Sequence, residues 1–153
     1  MLITGMTGAG KSYLACALAQ KACRDGATVL YQRLPRLLQE LAVARHDGRY
    51  HKTMAQLIKC EVLVLDDLLI SPMTQDEQRD LLEIVEERYD RKSTIITSQL
   101  PVKAWHEAMQ DKTLADAIMD RVVHNAYKIE LNAKESMRRR RTTLDQKKLP
   151  VTE

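Results

Sequence analysis

The sequence has no phenylalanine and one tryptophan, and aromatic residues make up 4% of its 153 residues. A core of this composition must consist mainly of leucine, isoleucine, valine, methionine and alanine. No apolar run approaches the roughly 20 residues that a membrane-spanning helix requires, so we expect no membrane partner. No basic-then-apolar secretory signal is recognised, because residues 1–3 lead directly into a glycine-rich segment. We therefore expect a cytoplasmic protein.

Cysteine is also scarce, and its three occurrences show no metal-ligand spacing. Cys16, Cys23 and Cys60 are expected to be buried, reduced thiols, as is usual in a reducing cytoplasm. Hydrophobic residues make up 44% and charged residues 29% of the chain. This balance excludes a disordered chain and, at this length, predicts one globular domain.

The net charge of +3 is distributed unevenly along the chain. Residues 134–148 contain seven lysines and arginines against two acidic residues, a local charge of +5. The remainder of the chain therefore carries −2. We expect a core over residues 1–133, followed by a basic tail over residues 134–153.

Strand and helix patterns alternate from one end of the chain to the other. The predicted strands cover residues 1–4, 28–31, 62–65, 93–97 and 127–131, and the predicted helices cover residues 11–24, 36–44, 50–59, 74–89, 102–109 and 114–123. The run 62–65 is apolar throughout, as in a central parallel strand that is buried on both faces. This alternation predicts an open α/β sheet, in which ligands bind at the carboxyl ends of the strands.

Residues 5–12 match the phosphate-loop pattern G-x-x-x-x-G-K-S/T at every fixed position. Glycines allow the backbone to form a concave nest of N–H groups, and the following helix directs its positive end at the same point. Lysine supplies a mobile charge for the outer phosphates, and the serine hydroxyl can ligate Mg²⁺. The predicted nucleotide-binding residues are Gly5, Thr7, Gly8, Ala9, Gly10, Lys11 and Ser12.

Two acidic residues, Asp66 and Asp67, follow the apolar strand 62–65. In a Walker B arrangement, Asp66 would hold Mg²⁺ through water, and Asp67 would orient or activate a water molecule against the γ-phosphate. The alternative is a pair of loop aspartates that cap the next element. The shared sheet and the spacing of about fifty residues from the phosphate loop favour the Walker B interpretation.

Five segments together carry a more specific resemblance: residues 5–12, 34–38, 65–67, 93–101 and 116–126. Over essentially its whole length the chain resembles AAA+ ATPases of the IstB/DnaC group, and it is most similar to IstB-type helper proteins of insertion-sequence transposition. The resemblance implies a three-layer P-loop NTPase fold with a central, mainly parallel five-stranded sheet, and with the lid domain largely absent. It also implies ATP and Mg²⁺ as ligands.

The resemblance assigns further roles to single residues. Ser98 and Gln99 both lie where AAA+ proteins carry a polar sensor of the γ-phosphate, and strand-end turn chemistry is the alternative for both. Arg121 lies where the family places an arginine finger, which reaches the γ-phosphate of a neighbouring subunit and implies a homo-oligomer. For Arg121 the alternative is an intrachain salt bridge to Asp120 or Asp116. Arg138 corresponds to a sensor-2-like arginine.

The basic tail is a candidate contact for the phosphates of double-stranded DNA, and a solvated tail without that role is the alternative. Its candidate residues are Arg138, Arg139, Arg140, Arg141, Lys147 and Lys148. Further basic candidates follow the second strand: Arg33, Arg36, Arg45, Arg49 and Lys52. Without interleaved aromatic residues, we expect phosphate contact and no base stacking.

These features suggest an ATPase that assembles on double-stranded DNA when ATP is bound and presents that DNA to a transposase. A helicase loader of the DnaC type and a small-molecule phosphotransferase are the alternatives. Members of the resembled family usually have a substantial segment before the phosphate loop, whereas four residues precede Gly5 here. We therefore expect that an N-terminal region is missing and that the adenine pocket lacks part of its frame.

Overall fold

One five-stranded sheet forms the centre of the structure, a computed structural model that describes residues 1–132 and 136–137. Its strands are β1 (Leu2–Gly5), β2 (Val29–Arg33), β3 (Val62–Leu68), β4 (Ser93–Ser98) and β5 (Lys128–Leu131). They lie in the order β2-β3-β4-β1-β5, and every neighbouring pair is parallel. The predicted parallel α/β sheet is confirmed. Because all strands run the same way, their carboxyl ends share one edge.

Six α-helices connect the strands: α1 (Lys11–Arg24), α2 (Leu34–Asp47), α3 (Tyr50–Lys59), α4 (Gln75–Arg88), α5 (Trp105–Ala108) and α6 (Lys112–Val123). Helix α2 begins two residues earlier than predicted, since Pro35 is compatible with a first helical turn. The helix predicted over residues 102–109 is instead a 3₁₀ turn, Val102–Ala104, followed by the single turn of α5. In the part of the chain described here, no helix is long and apolar enough to cross a bilayer.

The sheet is covered on both faces, which gives three layers. On one face, Ala15 and Ala19 of α1 pack against Ile3, Val64 and Ile95 of the sheet. The other face carries the larger cluster, to which α2, α3, α4, α5 and α6 contribute. That cluster consists of leucine, isoleucine, valine, methionine and alanine around the single, fully buried tryptophan. The core composition expected from the scarcity of aromatic residues is confirmed.

The expectation of three buried cysteines is wrong. Cys16 and Cys23 are exposed, and Cys60 is half-buried. Helix α1 turns Ala15 and Ala19 toward the sheet, and Cys16, one residue and therefore about 100° after Ala15, lies away from that buried stripe. Small residues therefore fill the narrow gap between α1 and the sheet, and two thiols lie outside it.

Arg88, at the end of α4, is a buried charge with a structural task. Its side chain is 1% exposed, and Nη1 donates to the carbonyl oxygens of Leu57 (2.7 Å) and Cys60 (2.8 Å). Nη2 donates to the carbonyl oxygen of Ser93, and Nε donates to the Thr94 hydroxyl. Burial lowers the pKa of Arg88 from its usual value. The guanidinium thus connects the end of α3 and the start of β4 to α4.

Candidate nucleotide-binding site

The loop between β1 and α1 has the backbone conformation that its glycines predict. Gly8 and Gly10 have φ angles of +81° and +97°, in the left-handed region that side chains disfavour. A Cβ atom at Gly8 would also lie 2.2 Å from the Ser136 hydroxyl oxygen. The Met137 N–H donates to the Gly8 carbonyl oxygen at 2.9 Å. Residues 136–137 therefore lie against the phosphate loop.

The amino terminus of α1 is available to an anion. Gly10 has no side chain with which to cap the helix, and Lys11 and Ser12 begin its first turn. Backbone N–H groups and the helix dipole favour negative charge at the amino terminus of a helix. The Lys11 ammonium donates to the carbonyl oxygens of Gly5 (2.7 Å) and Met6 (3.0 Å), so its charge is held on the loop itself.

Asp66 lies at the carboxyl end of β3 and is 2% exposed. Its Oδ1 accepts from the hydroxyls of Ser12, at 3.0 Å, and Thr97, and its Oδ2 accepts from the Tyr31 hydroxyl at 2.5 Å. Burial and the hydrogen bond to Asp66 raise the pKa of Tyr31, and burial and the Asp66 charge raise the pKa of the Cys16 thiol. A serine hydroxyl beside a carboxylate, next to a phosphate nest, is a donor set that suits Mg²⁺.

Asp67 adopts a left-handed backbone with φ of +66°, which is uncommon for a residue other than glycine. Its N–H donates to the Thr97 hydroxyl oxygen at 3.0 Å. Its carboxylate accepts from Arg33 Nη2 at 2.7 Å and Nε at 3.2 Å, and this hydrogen bond raises the pKa of Arg33. The Asp67 carboxylate is therefore engaged with Arg33, at the end of the neighbouring strand β2.

The two sensor candidates occupy different environments. The Ser98 hydroxyl is buried, donates to the Leu68 carbonyl oxygen at 2.7 Å and accepts from the Leu100 N–H at 3.2 Å. Gln99 Oε1 instead accepts from the Thr7 hydroxyl at 2.8 Å. Gln99 thus contacts the phosphate loop directly, whereas Ser98 joins the ends of β3 and β4.

Arg121 lies near the amino ends of the strands, whereas the phosphate loop lies at their carboxyl ends. It lines a cleft of about 450 Å³ together with Met1 and Ser93, which precede or begin strands. Its Nη2 donates to Glu86 Oε1 at 2.9 Å, and its Nη1 lies 3.6 Å from Asp120 Oδ2. Ion pairing within the chain is therefore present, with Glu86 as the nearer acid. From this position Arg121 does not reach the phosphate loop of its own chain.

The basic residues considered for DNA contact are largely paired with acids. Arg36 bonds Glu40 at 2.9 Å, Arg49 bonds Asp47 at 2.8 Å, and Arg45 forms an ion pair with the buried Asp80. The candidates of the basic tail, Arg138, Arg139, Arg140, Arg141, Lys147 and Lys148, lie outside the described residues. The division of the chain at residue 133 also falls there and stays a prediction.

Three contacts at the carboxyl ends of the strands were not predicted from the sequence: those of Tyr31 and Thr97 with Asp66, and that of Arg33 with Asp67. Their positions in the sequence could have indicated these contacts, because Tyr31 and Thr97 end predicted strands and Arg33 follows a predicted strand by two residues. Parallel strands bring their carboxyl ends to one edge, so polar residues at these ends become neighbours. Which hydroxyl reaches which carboxylate depends on strand order and register, which the sequence alone does not provide.

Comparison with known proteins identifies the family. A family model described as IstB-like ATP binding protein matches residues 1–145. The chain belongs to this family. The insertion sequence ATP-binding protein y4pL of Sinorhizobium fredii is 56% identical over 139 residues, which are 91% of this chain and 56% of that protein. The IS21 ATP-binding protein of Pseudomonas aeruginosa is 34% identical over 131 residues, 86% of this chain and 49% of that protein.

This IstB-like chain therefore spans about half the length of the curated relatives it matches. Solved AAA+ structures share its fold. DnaI superposes with a TM-score of 0.79 at 26% identity, over 86% of this chain and 72% of that one. AMPPCP-bound DnaA from Aquifex aeolicus gives 0.74 at 18% identity, over 100% and 47%. The predicted P-loop AAA+ fold and the family resemblance are confirmed.

Proposed function

We propose that this chain binds ATP with Mg²⁺ at the carboxyl edge of the sheet and hydrolyses it to control a step of insertion-sequence transposition. One observation carries the proposal: the phosphate loop and the amino terminus of α1 lie beside Asp66. The Ser12 hydroxyl, in the first turn of α1, donates to Asp66 Oδ1 at 3.0 Å. The names of the relatives, insertion sequence ATP-binding proteins, support the same function.

In this proposal each side chain has a separate task. The loop N–H groups and Lys11 bind phosphate oxygens, while Ser12 and Asp66 hold the metal. Bound Mg²⁺ would offset the charge of the terminal phosphates. Asp67 orients the attacking water once its carboxylate leaves Arg33, which holds it at 2.7 Å. Release of Asp67 from Arg33 is thus a step that precedes hydrolysis.

Gln99 is the proposed sensor of the γ-phosphate, because it contacts Thr7 of the phosphate loop while Ser98 is engaged with backbone. Gln99→Ala is expected to lower kcat for ATP hydrolysis about 100- to 1,000-fold, the range for loss of one preorganised hydrogen-bonding group, and to change ATP affinity little. The comparison variant Ser98→Ala is expected to lower thermal stability and to retain more of kcat. Equal kcat in Gln99→Ala and the unchanged chain would exclude the sensor role.

Arg121 is proposed to act on the nucleotide of a neighbouring subunit, since it lies at the far edge of the sheet from its own phosphate loop. ATPase activity per chain is then expected to rise steeply with protein concentration. Arg121→Ala is expected to lose about 1,000-fold in kcat, as arginine fingers contribute 10³–10⁵. The matched control is Arg79→Ala, an exposed α4 arginine paired with Asp76.

A mixing experiment separates action in trans from a structural role. Asp67→Asn supplies an intact Arg121, and Arg121→Ala supplies an intact site, so a mixture of the two inactive proteins is expected to recover activity. Recovery in the mixture requires a homo-oligomer in which one chain completes the site of the next. A mixture as inactive as its two components would contradict the trans role.

Assembly on double-stranded DNA and presentation of that DNA to a transposase complete the proposal. The basic tail, with a net charge of +5 over residues 134–148, supplies sequence-independent phosphate contact. The test compares binding to a duplex with ATP, without nucleotide, and with ATP for Lys11→Ala. Tight binding is expected in the first arm alone, and it is expected to weaken as salt rises. Equal binding in all three arms would contradict control by ATP.

A helicase loader is the second candidate, since a solved structure described as the DnaC helicase loader shares this fold, with a TM-score of 0.72 over 86% of this chain. The two candidates differ in the nucleic acid they engage. Preference for a duplex in a competition with single-stranded DNA supports the transposition role. Preference for the single strand, together with replication genes beside the coding sequence, would favour the loader.

A further inference from the structure

The Asp66 carboxylate accepts hydrogen bonds from three hydroxyl groups, which belong to three different helices and strands. Ser12 of α1 and Thr97 of β4 donate to Oδ1, and Tyr31 of β2 donates to Oδ2. A carboxylate has about four lone-pair positions, so these bonds leave roughly one position for a further donor. The direction of that remaining lone pair is fixed only while the carboxylate cannot rotate.

Thr97 connects β4 to both acidic residues of β3. Its hydroxyl donates to Asp66 and accepts from the Asp67 N–H at 3.0 Å, and the residue is fully buried. The pairing of β3 with β4 shifts register between Leu65 and Leu68, where a regular ladder would otherwise bond this N–H. The side chain of Thr97 therefore replaces a backbone partner at the place where the strand bends.

Tyr31 reaches Asp66 from the opposite side, two residues before the end of β2. The residue is 39% exposed, so it contributes little to the core. Its hydroxyl nevertheless donates a hydrogen bond of 2.5 Å to Asp66 Oδ2. A phenylalanine would fill the same volume without that bond. Tyr31 thus restrains the oxygen that Ser12 and Thr97 do not touch.

We infer that Tyr31 and Thr97 are positioning residues that hold the Asp66 carboxylate in the orientation required by a nucleotide-bound divalent cation. The inference rests on the proposed ATP·Mg²⁺ function of this edge and adds two residues to it. Groups that orient a metal-binding side chain commonly contribute 10- to 100-fold to metal affinity or activity. Removal of either hydroxyl is therefore expected to weaken Mg²⁺-dependent binding and to leave metal-free nucleotide binding unchanged.

The test measures the affinity of the full chain for a fluorescent ATP analogue, with Mg²⁺ and with EDTA. Tyr31→Phe and Thr97→Val are expected to raise the Kd in Mg²⁺ roughly ten-fold and to change the Kd in EDTA less than about two-fold. Thr97→Ser retains the hydroxyl and is expected to restore the Mg²⁺ response. Tyr127→Phe, at an exposed tyrosine, and Thr113→Val, at an exposed threonine of α6, are the matched controls.

The outcomes separate this inference from the function on which it rests. If the unchanged chain shows no Mg²⁺-dependent nucleotide binding, both are overturned. If it does, but Tyr31→Phe and Thr97→Val respond to Mg²⁺ as the unchanged chain does, the positioning role alone is overturned. An equal loss in Mg²⁺ and in EDTA would indicate general disturbance of the loop and would also contradict the role.

Discussion

Lys11→Ala is expected to weaken ATP binding by about 100-fold, the largest expected effect of a single substitution on nucleotide affinity. A hydrogen bond to a charged group contributes about 1.5–3 kcal/mol, and 2.7 kcal/mol corresponds to roughly 100-fold in Kd. The Lys11 ammonium already lies on the phosphate loop, on the carbonyl oxygens of Gly5 and Met6 at 2.7 and 3.0 Å. Its charge therefore has a short distance to travel to a bound phosphate.

The loss is measured as the Kd of a fluorescent ATP analogue in the presence of Mg²⁺. Lys21→Ala is the matched control, because Lys21 lies on the same helix, is exposed and pairs with Asp25. We expect the control to bind as the unchanged chain does and to unfold at nearly the same temperature. An unchanged Kd for Lys11→Ala would place the nucleotide elsewhere.

Arg88→Leu is expected to lower the free energy of unfolding by about 3–5 kcal/mol, the largest effect on stability. The guanidinium bonds the carbonyl oxygens of Leu57, Cys60 and Ser93 from a buried position. Each buried carbonyl left without a donor costs about 1–3 kcal/mol. Leucine regains part of this by burying an apolar side chain where a costly charge had been, which limits the net loss.

The change in the free energy of unfolding is measured by urea denaturation, with circular dichroism as the readout. Arg91→Leu is the matched control: Arg91 is exposed three residues later, and its ion pair with Glu87 spans 3.7 Å. Exposed pairs contribute about 0–1 kcal/mol, so the control is expected to remain close to the unchanged chain. Similar midpoints for Arg88→Leu and Arg91→Leu would mean that the carbonyl oxygens find other partners.

Much of the fold follows from local patterns. The continuous apolar run 62–65 lies within β3, and the helices predicted over residues 11–24 and 74–89 agree closely with α1 and α4. Strands separated by helices then require a parallel sheet, because crossover connections return each strand to the same direction. The phosphate loop is specific for a further reason: its glycine positions, lysine and serine each serve the geometry of phosphate binding.

The side-chain partners at the site could not be predicted in the same way. Tyr31 is 35 residues from Asp66 in the chain, and Thr97 is 31 residues from it, so their contact depends on the strand order. The choice between Ser98 and Gln99 depends on which side chain the bend at the end of β4 directs toward the loop. The exposure of Cys16 depends on which face of α1 packs against the sheet.

Calorimetric titration of the 153-residue chain with ATP, in Mg²⁺, tests whether the carboxyl ends of the strands form an ATP·Mg²⁺ site. We expect one ATP bound per chain, with an affinity that falls in Asp66→Asn and persists in Asp76→Asn, a substitution at an exposed acid of α4. No heat of binding, or the same affinity in Asp66→Asn as in the unchanged chain, would contradict the assignment of this sheet edge as an ATP·Mg²⁺ site.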